Sequence, residues 1–262
     1  MDTEKIISDY YSTRKEDERF SSKHGSVEYI VTLHFIDEYL NNGDRLLEIG
    51  CGTGRYSLHY AHEGYQVDAV ELVQANLDVL KQNTLPSDNI TEVLGNALDL
   101  SMYPDDLFDI TLCLGPMYHL FTTEDKLKCL NEAIRVTKKG GIIFVAYCQF
   151  DASMIQTAFK ANMYDFLVQN NLLDENIYMP ISNPFGVFEL HRKEQIDCLN
   201  NSLNAKRLHY VGTDMYSHYI PEVIDNMDEG LFQKYVKYTL TICGNQNLVG
   251  VSNHILDILQ KK

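Results

Sequence analysis

Three glycines at alternate positions follow a short apolar run of the kind that forms a buried strand. They are Gly50, Gly52 and Gly54, and the run before them is Arg45–Ile49. Because glycine has no Cβ, the chain can turn sharply here and a ligand can approach the backbone amides closely. A dinucleotide-binding loop has the spacing G-x-G-x-x-G and places pyrophosphate at a helix N-terminus. Position 55 is Arg55 rather than the third glycine of that motif, so G-x-G-x-G is a different fingerprint.

The elements that position this loop alternate between strand and helix patterns. Apolar runs predict five strands, at Arg45–Ile49, Gln66–Leu72, Ile90–Leu94, Phe108–Leu114 and Ile142–Tyr147. The clearest helix between them is Thr122–Thr137, with Thr122 as its N-cap. Two lysines after it lie at the negative end of its dipole, and Gly140 predicts its end. This alternation predicts right-handed βαβ crossovers and therefore a doubly wound α/β fold with a mostly parallel sheet.

Four further segments follow the glycine loop in order along the chain. They are Glu71, 21 residues after Gly50; Gly95-Asn96-Ala97; Phe108-Asp109, leading to Leu114-Gly115-Pro116-Met117-Tyr118-His119; and Lys138-Lys139-Gly140-Gly141. With Glu48 just before the loop, this order resembles the class I S-adenosylmethionine-dependent methyltransferases, in particular bacterial small-molecule enzymes. The resemblance covers about 44–147. It implies a Rossmann-like fold with seven strands, methyl transfer, and S-adenosylmethionine as a cofactor that becomes S-adenosylhomocysteine.

The resemblance also implies a role for each residue of the cofactor site. Backbone groups of the glycine loop contact the cofactor, Glu71 accepts both ribose hydroxyl protons, and Leu72 packs on the adenine. Asn96 stands where the family often has Asp, and its amide oxygen can still accept from the adenine amino group, with less charge. The cofactor-binding residues predicted in this core are Gly50, Cys51, Gly52, Glu71, Leu72, Asn96, Ala97, Leu114 and Gly115.

Two further pairs of residues are candidates for the site, and one residue of each pair has two possible roles. Tyr11 and Arg19 lie where related small-molecule enzymes carry a helical lid, and an arginine there can pair with the cofactor carboxylate. The alternative for Arg19 is a solvated charge on a mixed acidic and basic face. Tyr118 and His119 follow the fourth predicted strand, at the carboxyl edge where ligands bind in such sheets. His119, with a usual pKa of about 6.5, is a candidate general base, and the alternative is that it only shapes the pocket or hydrogen-bonds the loop.

The chain is predicted to divide into four parts. Residues 1–43 form an N-terminal helical lid, and 44–148 form the cofactor-binding half of the methyltransferase core. Residues 149–205 form an insertion that caps the substrate, and 206–262 supply strands and a helix that complete the core. An insertion of this size can enclose a small molecule, so we expect methyl transfer to a small-molecule acceptor by in-line displacement.

Two other functions remain open at this stage. An RNA or protein methyltransferase would need a basic groove, and often has an Asn/Asp-Pro-Pro-Tyr/Phe tetrad where this sequence has Leu114-Gly115-Pro116-Met117. A catalytically silent S-adenosylmethionine-binding protein would keep Glu71 and the glycines but have no closed acceptor cavity.

Charge and cysteine content bear on partners and location. The chain has 22 Lys and Arg against 37 Asp and Glu, a net charge of −15, so its average field repels nucleic acid and none is expected as a partner. No apolar run approaches the ~18 residues of a membrane span. The six cysteines are scattered without a C-x-x-C pair, which predicts reduced thiols, a cytoplasmic location and no metal site. The oligomeric state is left open between monomer and homodimer.

Overall fold

The computed structural model describes residues 3–12 and 20–262. Its strands are β1 (Arg45–Ile49), β2 (Gln66–Glu71), β3 (Ile90–Leu94), β4 (Phe108–Cys113), β5 (Thr137–Gln149), β6 (Leu173–Asp174), β7 (Met179–Pro180), β8 (Leu190–His191), β9 (Ala205–Gly212) and β10 (His254–Lys261). Its α-helices are α1 (Thr3–Ser12), α2 (Lys23–Asp37), α3 (Arg55–His62), α4 (Gln74–Asn83), α5 (Thr123–Val136), α6 (Phe150–Ser153), α7 (Tyr164–Gln169), α8 (Lys193–Asn200), α9 (Pro221–Asp225) and α10 (Glu229–Ile242). A π-helical turn, Met154–Lys160, continues α6.

Seven strands form the central sheet in the order β3-β2-β1-β4-β5-β10-β9, and the short β8 pairs with β5 beside it. Strands β1 to β5 pair in parallel, whereas β10 runs antiparallel to both of its neighbours, β5 and β9. The prediction of a doubly wound, mostly parallel sheet with seven main strands is confirmed. Strands β6 and β7 form a separate hairpin within the region predicted as an insertion.

The central strands are apolar because helices cover both faces of the sheet. Leu46 packs with α2 residues on one face, and the next residue, Leu47, packs with α5 residues on the other. Both leucine side chains are fully buried. A strand buried on two faces has a continuous apolar run rather than an alternating one, and this explains the strand pattern of the sequence.

The start of α5 agrees with its sequence signals, whereas its end does not. The helix stops at Val136, and the next residue already belongs to β5. Lys138 donates to both carboxylate oxygens of Asp109 on β4, at 2.7 and 2.8 Å, instead of capping the helix. Gly140, with φ of +79°, lies within an irregularity in the β4–β5 register, between Thr137 and Ile142, rather than at a helix end. The prediction of Lys138 to Gly140 as a helix terminus is therefore wrong, because these residues belong to β5, which pairs with β4.

Thr122 caps α5 through its side-chain oxygen, which accepts the backbone N–H of Asp125 at 3.0 Å. We expect Thr122→Ala to lower the free energy of unfolding by about 1 kcal/mol, since one N-terminal donor of the helix loses its partner. Urea unfolding measures the change. Thr123→Ala, an exposed neighbour inside the first turn, is the control, and equal losses in the two variants would contradict the capping role.

No helix within the described ranges has the length and apolar character needed to cross a bilayer.

Candidate active site

A cavity opens at the carboxyl edge of the sheet, above β1, β2 and β4. Every predicted site residue that the structure describes lines it: Tyr11, Gly50, Cys51, Gly52, Glu71, Leu72, Asn96, Ala97, Leu114, Gly115, Tyr118 and His119. Arg19, the remaining predicted residue, lies outside the described residues. The structure thus brings the predicted residues together at one place, and their contacts with a ligand stay predictions.

The glycine loop after β1 has a backbone that only glycine adopts readily. Gly50, Gly52 and Gly54 have φ values of +69°, +55° and +86°. A Cβ on Gly50 would lie 2.9 Å from the Pro116 ring, and one on Gly54 would lie 2.2 Å from the Leu80 side chain. A Cβ on Gly52 would have no atom within 4 Å. The outer glycines are therefore required for packing, while Gly52 leaves open space where the loop meets the cavity.

Glu71, at the end of β2, ties the glycine loop to the next helix. Its side chain accepts from the Gly52 N–H at 2.8 Å, from the Val73 N–H at 2.9 Å and from the Asn76 amide at 3.2 Å. Burial raises the pKa of Glu71, against the lowering effect of these donors and of the Leu72 N–H. The Glu71 side chain also borders the first cavity, and its contact with the ribose of a nucleoside stays a prediction.

Glu48, the acidic residue of the first motif, lies deeper in the same cavity wall. Its carboxylate accepts the backbone N–H of Ser57 at 2.9 Å and also the Ser57 hydroxyl, which fixes the first turn of α3 against β1. Burial raises the pKa of Glu48 to about 7, despite the hydrogen bonds from Ser57. The acidic position of the motif therefore has a structural task of its own at the base of the loop.

Asn96, which follows β3, uses its side chain locally. Its Oδ1 accepts the backbone N–H of Leu98 at 2.9 Å and closes a short turn. Its contact with an adenine amino group stays a prediction. The turn also fixes the direction in which Asn96 faces the cavity.

His119 joins three parts of the chain. Its Nδ1 donates to the carbonyl of Val187, in the region predicted as an insertion, at 2.9 Å. Its Nε2 lies 2.8 Å from the hydroxyl of Tyr11 on α1. Because a carbonyl only accepts, Nδ1 carries the proton and Nε2 accepts from Tyr11. Burial lowers the pKa of His119, so the ring is neutral at pH 7.

His254 also lines the cavity, and sequence reasoning missed it. It has no histidine partner at H-x-x-x-H spacing, so no motif in the sequence indicates it. It is the first residue of β10, which runs antiparallel to β5, so it pairs with Cys148 near the end of β5. Only the sheet topology could have indicated it. Because β10 runs antiparallel to β5, the N-terminal end of β10 lies at the carboxyl edge of the parallel strands.

A second cavity of about 580 Å³ adjoins the first, and His254 lines both. Much of its wall is apolar and comes from the 149–205 region, including Phe150, Met154, Leu167, Leu172, Phe188 and Leu190. His24 and His218 lie on its wall as well. An apolar chamber with a few polar groups is typical of a small-molecule site.

Comparisons with known proteins agree with this geometry. Residues 47–145 match the family model described as a methyltransferase domain. A probable methyltransferase of Aspergillus luteorubrus, ltbC, is 30% identical over 119 residues, which cover 42% of this chain and 41% of that protein. The chain therefore spans about two-fifths of that relative's length.

Two solved structures share the fold over nearly the whole chain. A Thermotoga maritima protein, described as a possible histamine N-methyltransferase, has a TM-score of 0.61 at 18% identity and covers 99% of this chain and 100% of its own. The Streptomyces coelicolor geranyl diphosphate C-methyltransferase, solved with S-adenosyl-L-homocysteine, has a TM-score of 0.62 at 12% identity, with coverage of 100% and 99%.

Residues 47–145 are a methyltransferase domain of the class I, S-adenosylmethionine-dependent type. The family resemblance and the Rossmann-like fold expected from the sequence are both confirmed. S-adenosylmethionine is the cofactor of this class, and the first cavity is lined by the residues predicted to bind it.

Proposed function

We propose that this protein transfers the methyl group of S-adenosylmethionine to a small-molecule acceptor by in-line displacement, leaving S-adenosylhomocysteine. The observation that carries the proposal is the second cavity, which is largely apolar and shares His254 with the first cavity. The cofactor, when bound, supplies a methyl group made electrophilic by the sulfonium. The protein must then align the acceptor with that methyl and exclude water, and such positioning can supply roughly 7–11 kcal/mol of a barrier.

The cofactor contacts in this proposal follow the sequence prediction. Glu71 holds the ribose, the amides of Gly50 to Gly52 face the amino-acid end, and Leu72 packs on the adenine. Asn96 and Ala97 border the adenine edge, and Leu114 with Gly115 forms the floor below the methionine moiety. We retain Arg19 as the proposed partner of the cofactor carboxylate.

Two features support a small acceptor over RNA. The net charge of −15 opposes binding of a polyanion. Most of the residues that line the second cavity belong to 149–205, which supports the proposal of a substrate cap there. A silent cofactor-binding protein would not need this second chamber, and the transfer assay below decides that alternative.

Calorimetry with S-adenosylhomocysteine and methyl release from labelled S-adenosylmethionine test the function. We expect one molecule of product bound per chain, and label transferred to at least one member of a library of small hydroxyl, amine, thiol and carbon acceptors. Retention of RNA in a gel-shift assay at physiological salt would favour the RNA alternative. Product binding with no transfer across chemically diverse acceptors would leave a silent binding protein, and no binding of either nucleoside would overturn the proposal.

Tyr118 and His119 remain the proposed residues of the reaction chamber. The bonds of His119 to Tyr11 and Val187 support the second of its two predicted roles, in which it shapes the pocket. A general base would need Nε2 to exchange Tyr11 for the acceptor proton.

We expect His119→Ala to lower kcat by up to about tenfold with little change in affinity for S-adenosylhomocysteine, since the loss is that of one or two neutral hydrogen bonds. Tyr11→Phe breaks one of the same bonds and is expected to lower kcat by a comparable factor. Full activity in Tyr11→Phe combined with a loss of about 100-fold or more in His119→Ala would instead identify His119 as a base.

A further inference from the structure

Three ligand-type side chains lie close together next to the two cavities: Asp214, His218 and His254, of which His254 lines both cavities. Nδ1 of His254 lies 2.7 Å from Oδ2 of Asp214, and Nε2 of His218 lies 3.4 Å from the same oxygen. All three atoms lie within 4.8 Å of one another. Two imidazoles therefore converge on a single oxygen of one fully buried carboxylate.

The sheet explains why residues 40 positions apart come together. Asp214 and His218 follow β9, which runs parallel to β5, so both lie beyond the carboxyl edge of the sheet. His254 reaches the same edge because β10 runs the other way. The backbone holds this arrangement independently of any ligand.

The second oxygen of Asp214 is fixed by groups outside the cluster. Oδ1 accepts the Ser252 hydroxyl at 2.6 Å and the Asn253 N–H at 2.8 Å. These bonds turn Oδ2 toward the two imidazoles. Metal-binding carboxylates are commonly oriented in this way by hydrogen bonds to their other oxygen.

A further carboxylate lies beside His254. Oε2 of Glu28, on α2, is 3.2 Å from Nδ1 of His254. The Asp214 oxygen is 2.7 Å from His254 and 3.4 Å from His218, and the three ligand atoms all lie within 4.8 Å of one another. Neighbouring ligands that share an ion at about 2.1 Å lie roughly 3.0–3.4 Å apart for bond angles between octahedral and tetrahedral. The two separations from the Asp214 oxygen therefore each lie within a few tenths of an ångström of that range.

We propose that Asp214, His218 and His254 bind one divalent first-row transition-metal ion. Imidazole nitrogen mixed with carboxylate oxygen favours Zn²⁺, Fe²⁺ or Mn²⁺ over Mg²⁺ and Ca²⁺, which prefer oxygen alone. The negative charge of the carboxylates complements the cation. His218, about one-third exposed, gives the ion a path from solvent.

The position of the ion specifies the acceptor, and this step rests on the proposed methyl transfer. An ion held by His254 faces both cavities, so it can coordinate a hydroxyl oxygen of the acceptor and lower the pKa of that hydroxyl. The hydroxyl proton leaves to solvent, an oxygen lone pair forms the O–CH₃ bond, and the S–CH₃ electron pair stays on sulfur. The acceptor class is therefore an apolar small molecule with a hydroxyl group.

Calorimetric titration of EDTA-treated, dialysed protein with Zn²⁺ and with Mn²⁺ tests the site directly. We expect one ion per chain, and a visible absorption band when Co²⁺ is added. His218→Gln and Asp214→Asn should each weaken Zn²⁺ binding by at least about 100-fold, the upper range seen even for outer partners of metal ligands. Circular dichroism of each variant checks that it is folded.

His34→Gln is the matched control. His34 and Glu38 form an exposed pair four residues apart at 3.4 Å, the same spacing and distance as His218 with Asp214. We expect this variant to keep wild-type affinity. Absence of stoichiometric binding to the wild-type protein, or equal affinity in His218→Gln and His34→Gln, would overturn the site.

Binding of S-adenosylhomocysteine to the same samples separates this inference from the proposed function. A protein that binds the nucleoside but no ion retains the proposed function and loses the metal site. A protein that binds the ion but not the nucleoside retains the metal site and loses the proposed function.

Discussion

Glu71→Ala is expected to weaken binding of S-adenosylhomocysteine by about 1–3 kcal/mol, or roughly 5- to 150-fold in Kd. The variant loses the carboxylate that we propose for the ribose. It also removes the acceptor of the Gly52 N–H, which Glu71 accepts at 2.8 Å. The ligand therefore loses a partner, and the glycine loop loses a hydrogen bond that holds it in place. Isothermal titration calorimetry measures the change.

Two control variants locate the source of that loss. Glu63→Ala removes an exposed carboxylate beyond the end of α3 and should leave the affinity unchanged. Glu71→Gln keeps one acceptor oxygen and the size of the side chain, so its loss should be smaller than that of Glu71→Ala. Wild-type affinity in Glu71→Ala would remove this residue from the cofactor site.

Stability in acid is expected to depend on His191. This side chain is buried against the Tyr147 ring, with ring centroids 5.1 Å apart, and neither ring nitrogen has a hydrogen-bond partner among the described residues. Burial, helped by the charge of Lys126, lowers the pKa of His191 to about 3. In the unfolded chain the pKa returns to about 6.5.

The sign of the pH dependence follows from that difference. Between pH 6.5 and 3 the unfolded chain holds a proton at residue 191 that the folded chain does not, so falling pH favours unfolding. The difference between the two pKa values of His191 corresponds to roughly 4–5 kcal/mol in the free energy of unfolding. The folded protein keeps this stability above pH 6.5 and loses it progressively by pH 3.

His191→Leu removes this titration with a side chain of similar volume. We expect the variant to be more stable at pH 7 by about 1–3 kcal/mol, because two unsatisfied buried nitrogens disappear. Its advantage over wild type should grow as the pH falls from 6.5 to 4. Urea unfolding at several pH values gives the comparison, with His62→Leu at an exposed position as the control. A constant difference across that range would contradict the assignment.

The part of the site that lies between consecutive strands was predictable from sequence. The glycine loop, Glu71 and Asn96 each follow a strand whose apolar run is clear, and parallel strands place such residues at one edge. The prediction for Lys138 was wrong because a lysine after a helix can interact either with the negative end of the helix dipole or with a carboxylate on a neighbouring strand, here Asp109. That choice depends on pairing between β4 and β5, which a local pattern does not encode.

The polar cluster next to the two cavities was not predictable in the same way. Asp214 and His254 are 40 positions apart, and only the reversed direction of β10 unites them. The second cavity was expected only as an enclosing insertion, because the short elements of 149–205 lack a long periodic pattern. Its shape depends on tertiary packing of Phe150, Met154 and Leu173 rather than on local propensity.

The interior place of β10 has a consequence during synthesis on the ribosome. This strand is the last one in the described chain, yet it lies between β5 and β9 and buries Ile255, Leu256, Ile258 and Leu259. Until residues 254–261 emerge from the exit tunnel, β5 and β9 each present an unpaired edge. Nascent chains carrying β1 to β9 therefore pass through a stage open to edge-to-edge association.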